Sequence, residues 1–282
     1  MSFKMVCDAG LKLGESPVWS VRDQKLYFVD VKGRKLNAYD PKRGFQSYEL
    51  DEDIGMVAPY EDGFVAAMRS GIWHLDRRGQ KIGCVIANPE NQAVSRFNDG
   101  GTDAKGRLFV GTIDEPKDGG KAHLYRYDHR GLIVIEGGIM TSNGVAFSPD
   151  NKTLYHSDTP RFTIYKYDYD LDTGTATNRQ VFVKVEPTAT DRGRPDGAAV
   201  DMEGCYWSAF YEGSRLHRYD PDGKLMSVYP IEAKSPTMPA FGGADMKTLY
   251  VTTAAMEGDP HPGGLYAMDV EVAGVVRAPF LV

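Results

Sequence analysis

Alternation between apolar and polar positions dominates this chain. Six stretches, RKLNAYD, GIWHLD, AHLYRYD, TIYKYD, SRLHRYD and GGLYAMD, alternate and then end on an apolar residue followed by Asp. Their closing pairs are Tyr39-Asp40, Leu75-Asp76, Tyr127-Asp128, Tyr167-Asp168, Tyr219-Asp220 and Met268-Asp269. A period of two predicts a half-buried strand. Turn chemistry follows most of these stretches, as in Asp40-Pro41-Lys42-Arg43-Gly44 and Asp220-Pro221-Asp222-Gly223,. Upstream of each lies a second recurring strand: KLYFVD, GFVAAM, RLFVGT, TLYHSD, CYWSAF and TLYVTT. Upstream again is a strand of small residues: ESPVWS, IGMVAPY, DGGTDA, NGVAFS, DGAAVD and PAFGGAD. Intervening segments such as FQSYEL, LIVIEG and RQVFVKV supply a fourth strand.

Six matched units of four strands result. Their Asp landmarks are 36, 52, 40, 52 and 49 residues apart, the period of propeller blades. No segment sustains a helical period. The pattern therefore predicts an all-β, six-bladed β-propeller with four antiparallel strands per blade, occupying 1–282 as one domain,. A two-domain β-sandwich would leave six matched units unexplained. Residues 3–7 and 275–281 remain as surplus strands, and one of them is expected to complete the last blade beside 265–268.

Composition fits short strands and many turns: 31 Gly, 16 Tyr and 11% aromatic residues,. The 41% hydrophobic and 26% charged content excludes wholesale disorder,. A net charge of -6, with no run of Lys and Arg, speaks against nucleic-acid binding,. No stretch approaches the ~20 apolar residues of a membrane span. The opening MSFKMVCDAG carries no apolar core of a secretory signal,. Cys7, Cys84 and Cys205 share no metal-binding spacing,. They predict buried thiols in a reduced, cytoplasmic protein.

In a propeller the innermost strand of each blade faces the channel, and the small-residue strand is expected there. The residues that open it are Glu15, Asp53 or Ile54, Asn98-Asp99, Asn143, Asp196 and Thr237. Equivalent positions on six blades converge at one mouth of the channel. Each residue alone is an ordinary turn former. At one phase of the repeat, however, Glu15, Asn143 and Asp196, with Asn98 close by, supply carboxylate and amide oxygens. Such oxygens suit hard divalent cations. Loops 115–120 and 257–262 lengthen the third and sixth units at the same mouth, where loops set substrate choice. His156 reads as a wall histidine and His261 as a rim residue. Trp19, Trp73 and Trp207 read as packing between blades, and Cys205 as core. There is no HExxH, GxSxG or Walker A motif,.

The segments GESPVW, RFNDGGTDAKGRLFVGT, SNGVAFSPDNKTLYHSD and RPDGAAVDMEGCYWSAF together resemble the SMP-30/gluconolactonase/luciferin-regenerating-enzyme (LRE)-like family. FGGADMKTLYVTTA extends the resemblance over nearly the whole chain. It implies a six-bladed propeller with one divalent cation at the channel mouth. The metal-binding Glu, Asn and Asp of the family match Glu15, Asn143 and Asp196. The substrate-contacting Arg and Asn of its RxND motif match Arg96 and Asn98. Many members carry a substrate-binding Glu-Glu pair after the GT of the second strand. Here the sequence is GTIDEP, so Glu115 matches one Glu and Pro116 replaces the other. The oxygen ligands favour Ca²⁺, Mg²⁺ or Mn²⁺, with Ca²⁺ expected first, and the resemblance implies that Zn²⁺ and Fe²⁺ are also accepted.

The expected activity is metal-dependent hydrolysis of sugar lactones such as aldonolactones, with the cation as Lewis acid on the lactone carbonyl. Asp196 is the expected general base, and activation of the water by the cation itself is the rival. The expected partner is a small-molecule sugar lactone, with no nucleic acid and no membrane, and the oligomeric state is left open. Two other readings stand beside this one: a phosphotriesterase on the same metal site, and a non-catalytic calcium-binding propeller.

Overall fold

The computed structural model describes residues 2–282. A short strand, β1 (Lys4–Cys7), comes first. The first blade follows as β2 (Gly14–Ser20), β3 (Lys25–Asp30), β4 (Lys35–Asp40) and β5 (Gly44–Glu49). The second is β6 (Ile54–Tyr60), β7 (Gly63–Met68), β8 (Gly71–Leu75) and β9 (Lys81–Ala87). The third is β10 (Ser95–Thr102), β11 (Leu108–Asp114), β12 (Ala122–Asp128) and β13 (Gly131–Ile139). The fourth is β14 (Ser142–Phe147), β15 (Thr153–Asp158), β16 (Thr163–Asp170) and β17 (Thr175–Lys184). The fifth is β18 (Arg194–Val200), β19 (Tyr206–Tyr211), β20 (Arg215–Tyr219) and β21 (Leu225–Pro230). The sixth takes β22 (Pro236–Gly242), β23 (Thr248–Thr253) and β24 (Leu265–Asp269) and borrows β1 as its outer strand. Five of the sheets are antiparallel meanders in the order the alternation predicts, and the sixth is one over its three inner strands. Among the described residues the only helical element is a 3-10 turn at Thr159–Arg161.

Of the two surplus segments, the N-terminal one closes the ring. β1 pairs with β24 through Lys4 and Ala267, Met5 and Tyr266, and Cys7 and Leu265. The tail is no strand of a blade. It crosses the face opposite the inner-strand starts. Gly274 N–H donates to Met246 O at 2.9 Å and Val275 N–H to Val200 O at 3.0 Å. Further on, Phe280 N–H donates to Pro59 O at 2.8 Å and Leu281 N–H to Gly106 O at 3.1 Å. This strap ties the sixth, fifth, third and second blades together.

Each of the six apolar clusters fills one gap between neighbouring blades. Between the sixth and first blades, Trp19 stacks on Tyr250 with ring centroids 5.7 Å apart. Between the fifth and sixth, Trp207 meets Phe241 edge-on at 6.0 Å. The outer strands alternate toward solvent, as β5 and β21 show. That corrects the reading of the thiols: Cys205 is buried, but Cys7 is half-buried and Cys84 lies exposed on the outer strand β9.

Removing residues 1–7 strips β24 of its partner and opens the ring at its seam. The loss of packing around Met5 and of the strand pairing should cost on the order of 3 kcal/mol. That corresponds to roughly 5–10 °C in Tm, readable by differential scanning calorimetry. An unchanged Tm would show that the ring does not depend on β1.

Candidate functional site

The inner strands carry a shared register. The residue facing the second-strand position held by Tyr27, Val65, Phe109, Tyr155, Trp207 and Tyr250 is Val18, Ala58, Gly101, Ala146, Ala199 and Ala240 in turn. Counting back three residues gives Glu15, Gly55, Asn98, Asn143, Asp196 and Thr237. Five of these six agree with the sequence expectation. The second blade differs: its equivalent position is Gly55, not Asp53 or Ile54. A Cβ on Gly55 would come within 2.4 Å of the Asn98 carbonyl, so the neighbouring strand excludes any side chain there. Asp53 instead sits at the rim between Arg34 (3.0 Å) and Arg69 (2.7 Å).

All six inner strands break register next to this ring, each with a bulge that turns the ring side chains inward,. At Gly144 the bulge needs φ of +63°, and a Cβ would fall 2.3 Å from the Tyr206 hydroxyl. Glycine is therefore required immediately after Asn143.

Three of the ring residues, Asn98, Asn143 and Asp196, are buried and joined with Arg96 in a chain of polar contacts. Arg96 Nη1 donates to Asn98 Oδ1 at 2.7 Å. Asn98 Nδ2 donates to Asn143 Oδ1 at 2.8 Å and to Ser142 O at 2.9 Å. Asn143 Nδ2 donates to Asp196 Oδ1 at 2.5 Å and to Thr159 Oγ1 at 2.8 Å. Thr159 Oγ1 in turn donates to Pro195 O at 2.8 Å, so the 3-10 turn braces Asn143 against β18. The structure thus brings together Glu15, Arg96, Asn98, Asn143 and Asp196 at one mouth.

Electrostatics here is unfavourable as it stands. Burial pushes the Glu15 carboxyl well above the usual carboxylate range, and the charges of Asp196 and Asp99 push it further. Burial likewise lifts Asp196, with Asp99 adding to it. Asp99 itself is raised to about 6, mainly by burial, although Arg277 opposes the shift. Glu15 Oε2 is buried and has no hydrogen-bond partner. Unpaired buried charge costs several kcal/mol per ion, so an orphaned carboxylate oxygen beside a second buried carboxylate is a place for a cation. The donor set fits a hard divalent ion: Glu15, Asp196 and, once its amide turns its oxygen toward them, Asn143. The one group of three close His, Cys, Asp or Glu ligand atoms among the described residues lies elsewhere, at Asp201, Glu203 and Cys205. Its central carboxylate is already engaged by Trp207 Nε1 at 2.8 Å and Arg218 Nε at 2.9 Å.

Glu115 reaches the mouth, but Arg69 holds it. Arg69 Nη2 lies 2.7 Å from Glu115 Oε1 and also 2.7 Å from Asp53, while Arg96 Nε is 3.9 Å from Glu115. Arg69 escaped the sequence reading because it stands in no motif; only its place just after β7, at the mouth phase of the repeat, could have flagged it. Loop 115–120 brings Lys117 near enough to lower the Asp196 value. Loop 257–262 is held by Lys234 N–H donating to Asp259 Oδ1 at 2.9 Å. His156 is fully buried in the wall with Nε2 2.8 Å from Ser142 Oγ, and burial drives it down to about 3. It is no acid or base at neutral pH.

A model of the SMP-30/gluconolactonase/LRE-like region matches residues 13–255 of the chain. A 6-deoxy-6-sulfogluconolactonase of Pseudomonas putida is 42% identical over 279 residues, covering 95% of this chain and 94% of its own. A pentonolactonase of Haloferax volcanii is 33% identical, covering 97% and 96%. Among solved structures, the calcium-binding protein regucalcin from Agrobacterium tumefaciens superposes with a TM-score of 0.92 at 24% identity, covering 99% of this chain and 97% of its own.

Both ring carboxyls sit above their unfolded values in the metal-free protein. Their contribution to stability is therefore present at low pH and is lost as pH rises through the raised values. Glu15→Gln should raise the Tm of chelator-treated protein at pH 7.5 by a few degrees; added Ca²⁺ is expected to raise the Tm of the wild type and not that of the variant. Thermal melts with and without Ca²⁺ read both effects. A metal-free variant less stable than wild type would contradict this electrostatic account.

Proposed function

The chain belongs to the SMP-30/gluconolactonase/LRE-like family, and from that premise we propose that it is a metal-dependent hydrolase that opens sugar lactones. The observation that carries the reading is the buried, orphaned Glu15 oxygen facing a second buried carboxylate at the channel mouth. Residues 1–282 would act as one domain, and the absence of disulfides among the described residues supports a cytoplasmic setting,.

Glu15, Asn143 and Asp196 would hold the cation, Ca²⁺ by the hardness of its ligands. A divalent cation there supplies Lewis-acid polarisation of the lactone carbonyl. Asp196 is the general base. It takes a proton from the attacking water and returns it to the ring oxygen as the acyl–oxygen bond breaks. Asn143 Nδ2 now donates to one Asp196 oxygen, and Ser157 Oγ donates to the Asp196 carbonyl at 3.1 Å, which fixes its strand. Arg96 donates to Asn98 Oδ1, and Asn98 donates on to Ser142 and Asn143, so the two side chains are held rigidly side by side. They would bind substrate hydroxyls and the ring oxygen. Glu115 would accept a further hydroxyl, positioned by Arg69.

Lactonase activity against a panel of aldonolactones, each with Ca²⁺, Mn²⁺, Mg²⁺, Zn²⁺ and Fe²⁺, tests the reading, with a phosphotriester run alongside. Lactone turnover should vanish on chelation and return with a divalent cation. Asp196→Ala should lower kcat at least about a hundredfold. Near-normal turnover by Asp196→Ala would refute this mechanism, and hydrolysis of the phosphotriester alone would refute the substrate class.

A further inference from the structure

The C-terminal strap carries the second notable charge in the channel. Between Val275 and Phe280 it passes over the ends of the inner strands, and Thr102 Oγ1 donates to Ala278 O. At its centre Arg277 turns into the channel. Arg277 Nη2 donates to Ala198 O of β18 at 3.0 Å. On the other side the guanidinium packs on Gly101 of β10, where a Cβ would lie 3.8 Å from Nη1. It thus bridges two inner strands across the channel. Gly101 is two residues beyond Asp99, and Ala198 two beyond Asp196. At the rise of an extended chain, both carboxylates start about 7 Å up the channel from it.

We propose that Arg277 is a positioning residue of the cation site: the strap inserts it as the fixed countercharge of Asp99, so cation affinity is set from the opposite face of the propeller. Asp99 is the third buried carboxylate of the mouth and offers its oxygens downward. Its Oδ1 accepts from Gly100 N–H at 2.7 Å and its Oδ2 from Val145 N–H at 3.2 Å. Both its oxygens are thus already engaged by backbone N–H groups, unlike the orphaned Glu15 Oε2. Left uncompensated, Asp99 would add its negative charge to those of Glu15 and Asp196. Arg277 cancels that charge at the level below, and the guanidinium and Asp99 mutually favour their charged forms. A cavity of about 230 Å³, lined by Val18, Phe147, Phe241 and Arg277 among others, separates the strap from the inner strands around it.

This inference rests on the cation site proposed above, and its readout is binding rather than turnover. Ca²⁺ is titrated calorimetrically into chelator-stripped full-length protein. Asp99→Asn leaves Arg277 unopposed and should weaken Ca²⁺ binding about three- to tenfold. Arg277→Met should tighten it by a similar factor, Arg277→Lys should stay within about twofold of wild type, and the Asp99→Asn/Arg277→Met pair should return close to wild type. A strap that only braces the fold predicts something else: Arg277→Met lowers Tm and leaves the Ca²⁺ Kd unchanged, and that result overturns the proposal. Should Arg277→Met fail to fold, Asp99→Asn decides alone, since an unchanged Kd there is equally fatal. Absence of Ca²⁺ binding by the wild type would instead sink the cation site itself.

Discussion

Like charge confined in a small dry space governs this molecule. Glu15, Asp99 and Asp196 sit buried among the inner strands; burial lifts all three above the usual carboxylate range, and the charge of Asp99 lifts Glu15 and Asp196 further. All three side chains are almost wholly buried, so the repulsion is poorly screened,. A fold that only needed stability would not build this. The arrangement makes sense as a site whose energy is recovered when something positive binds. The polar chain from Arg96 through Asn98 and Asn143 then acts as a frame that fixes the Asp196 carboxylate.

That frame is only as rigid as the ring. Each ring residue comes from a different blade, so its position depends on the gaps between blades being filled. Six separate apolar clusters fill them, one per gap. Aromatic stacking stiffens the seam between the last and first blades, where β1 also closes the sheet. The strap adds a second closure on the far face. The bulges beside the ring complete the arrangement, because a regular strand would point successive side chains alternately into and out of the channel.

Much of this was legible in the sequence because it is periodic. The alternation, the turn residues and the phase of Glu15, Asn98, Asn143 and Asp196 all repeat, and repetition converts weak local signals into register. What the sequence hid is what breaks the period. Gly55 replaces an acid or amide at the ring because the Asn98 carbonyl crowds that point, and no local pattern reports a clash between strands of different blades. Arg277 and the strap were misread as a surplus strand, since their hydrogen bonds go to Val200, Pro59 and Gly106, far away in the chain. Cys84 was read as buried although its strand is the outer one of its blade, where any side chain on the solvent face is exposed.

The rim shows how one scaffold can change what it accepts without disturbing its centre. Glu115 stands where the family pattern places a substrate contact, yet its partner is Pro116 and its carboxylate is already pinned by Arg69. Arg69 is pinned in turn by Asp53 and by the carbonyls of Gln92 and Ser95. A carboxylate held by a guanidinium is a weaker acceptor for a sugar hydroxyl than a free one, but it is better placed, since it loses no rotamer freedom when the substrate arrives. If Glu115 meets substrate as proposed, it does so as a single preorganised carboxylate held by Arg69. On the proposed reading, discrimination between lactones would fall to the rim, to Arg69, Glu115 and loop 115–120, and the opening of any lactone to the ring beneath.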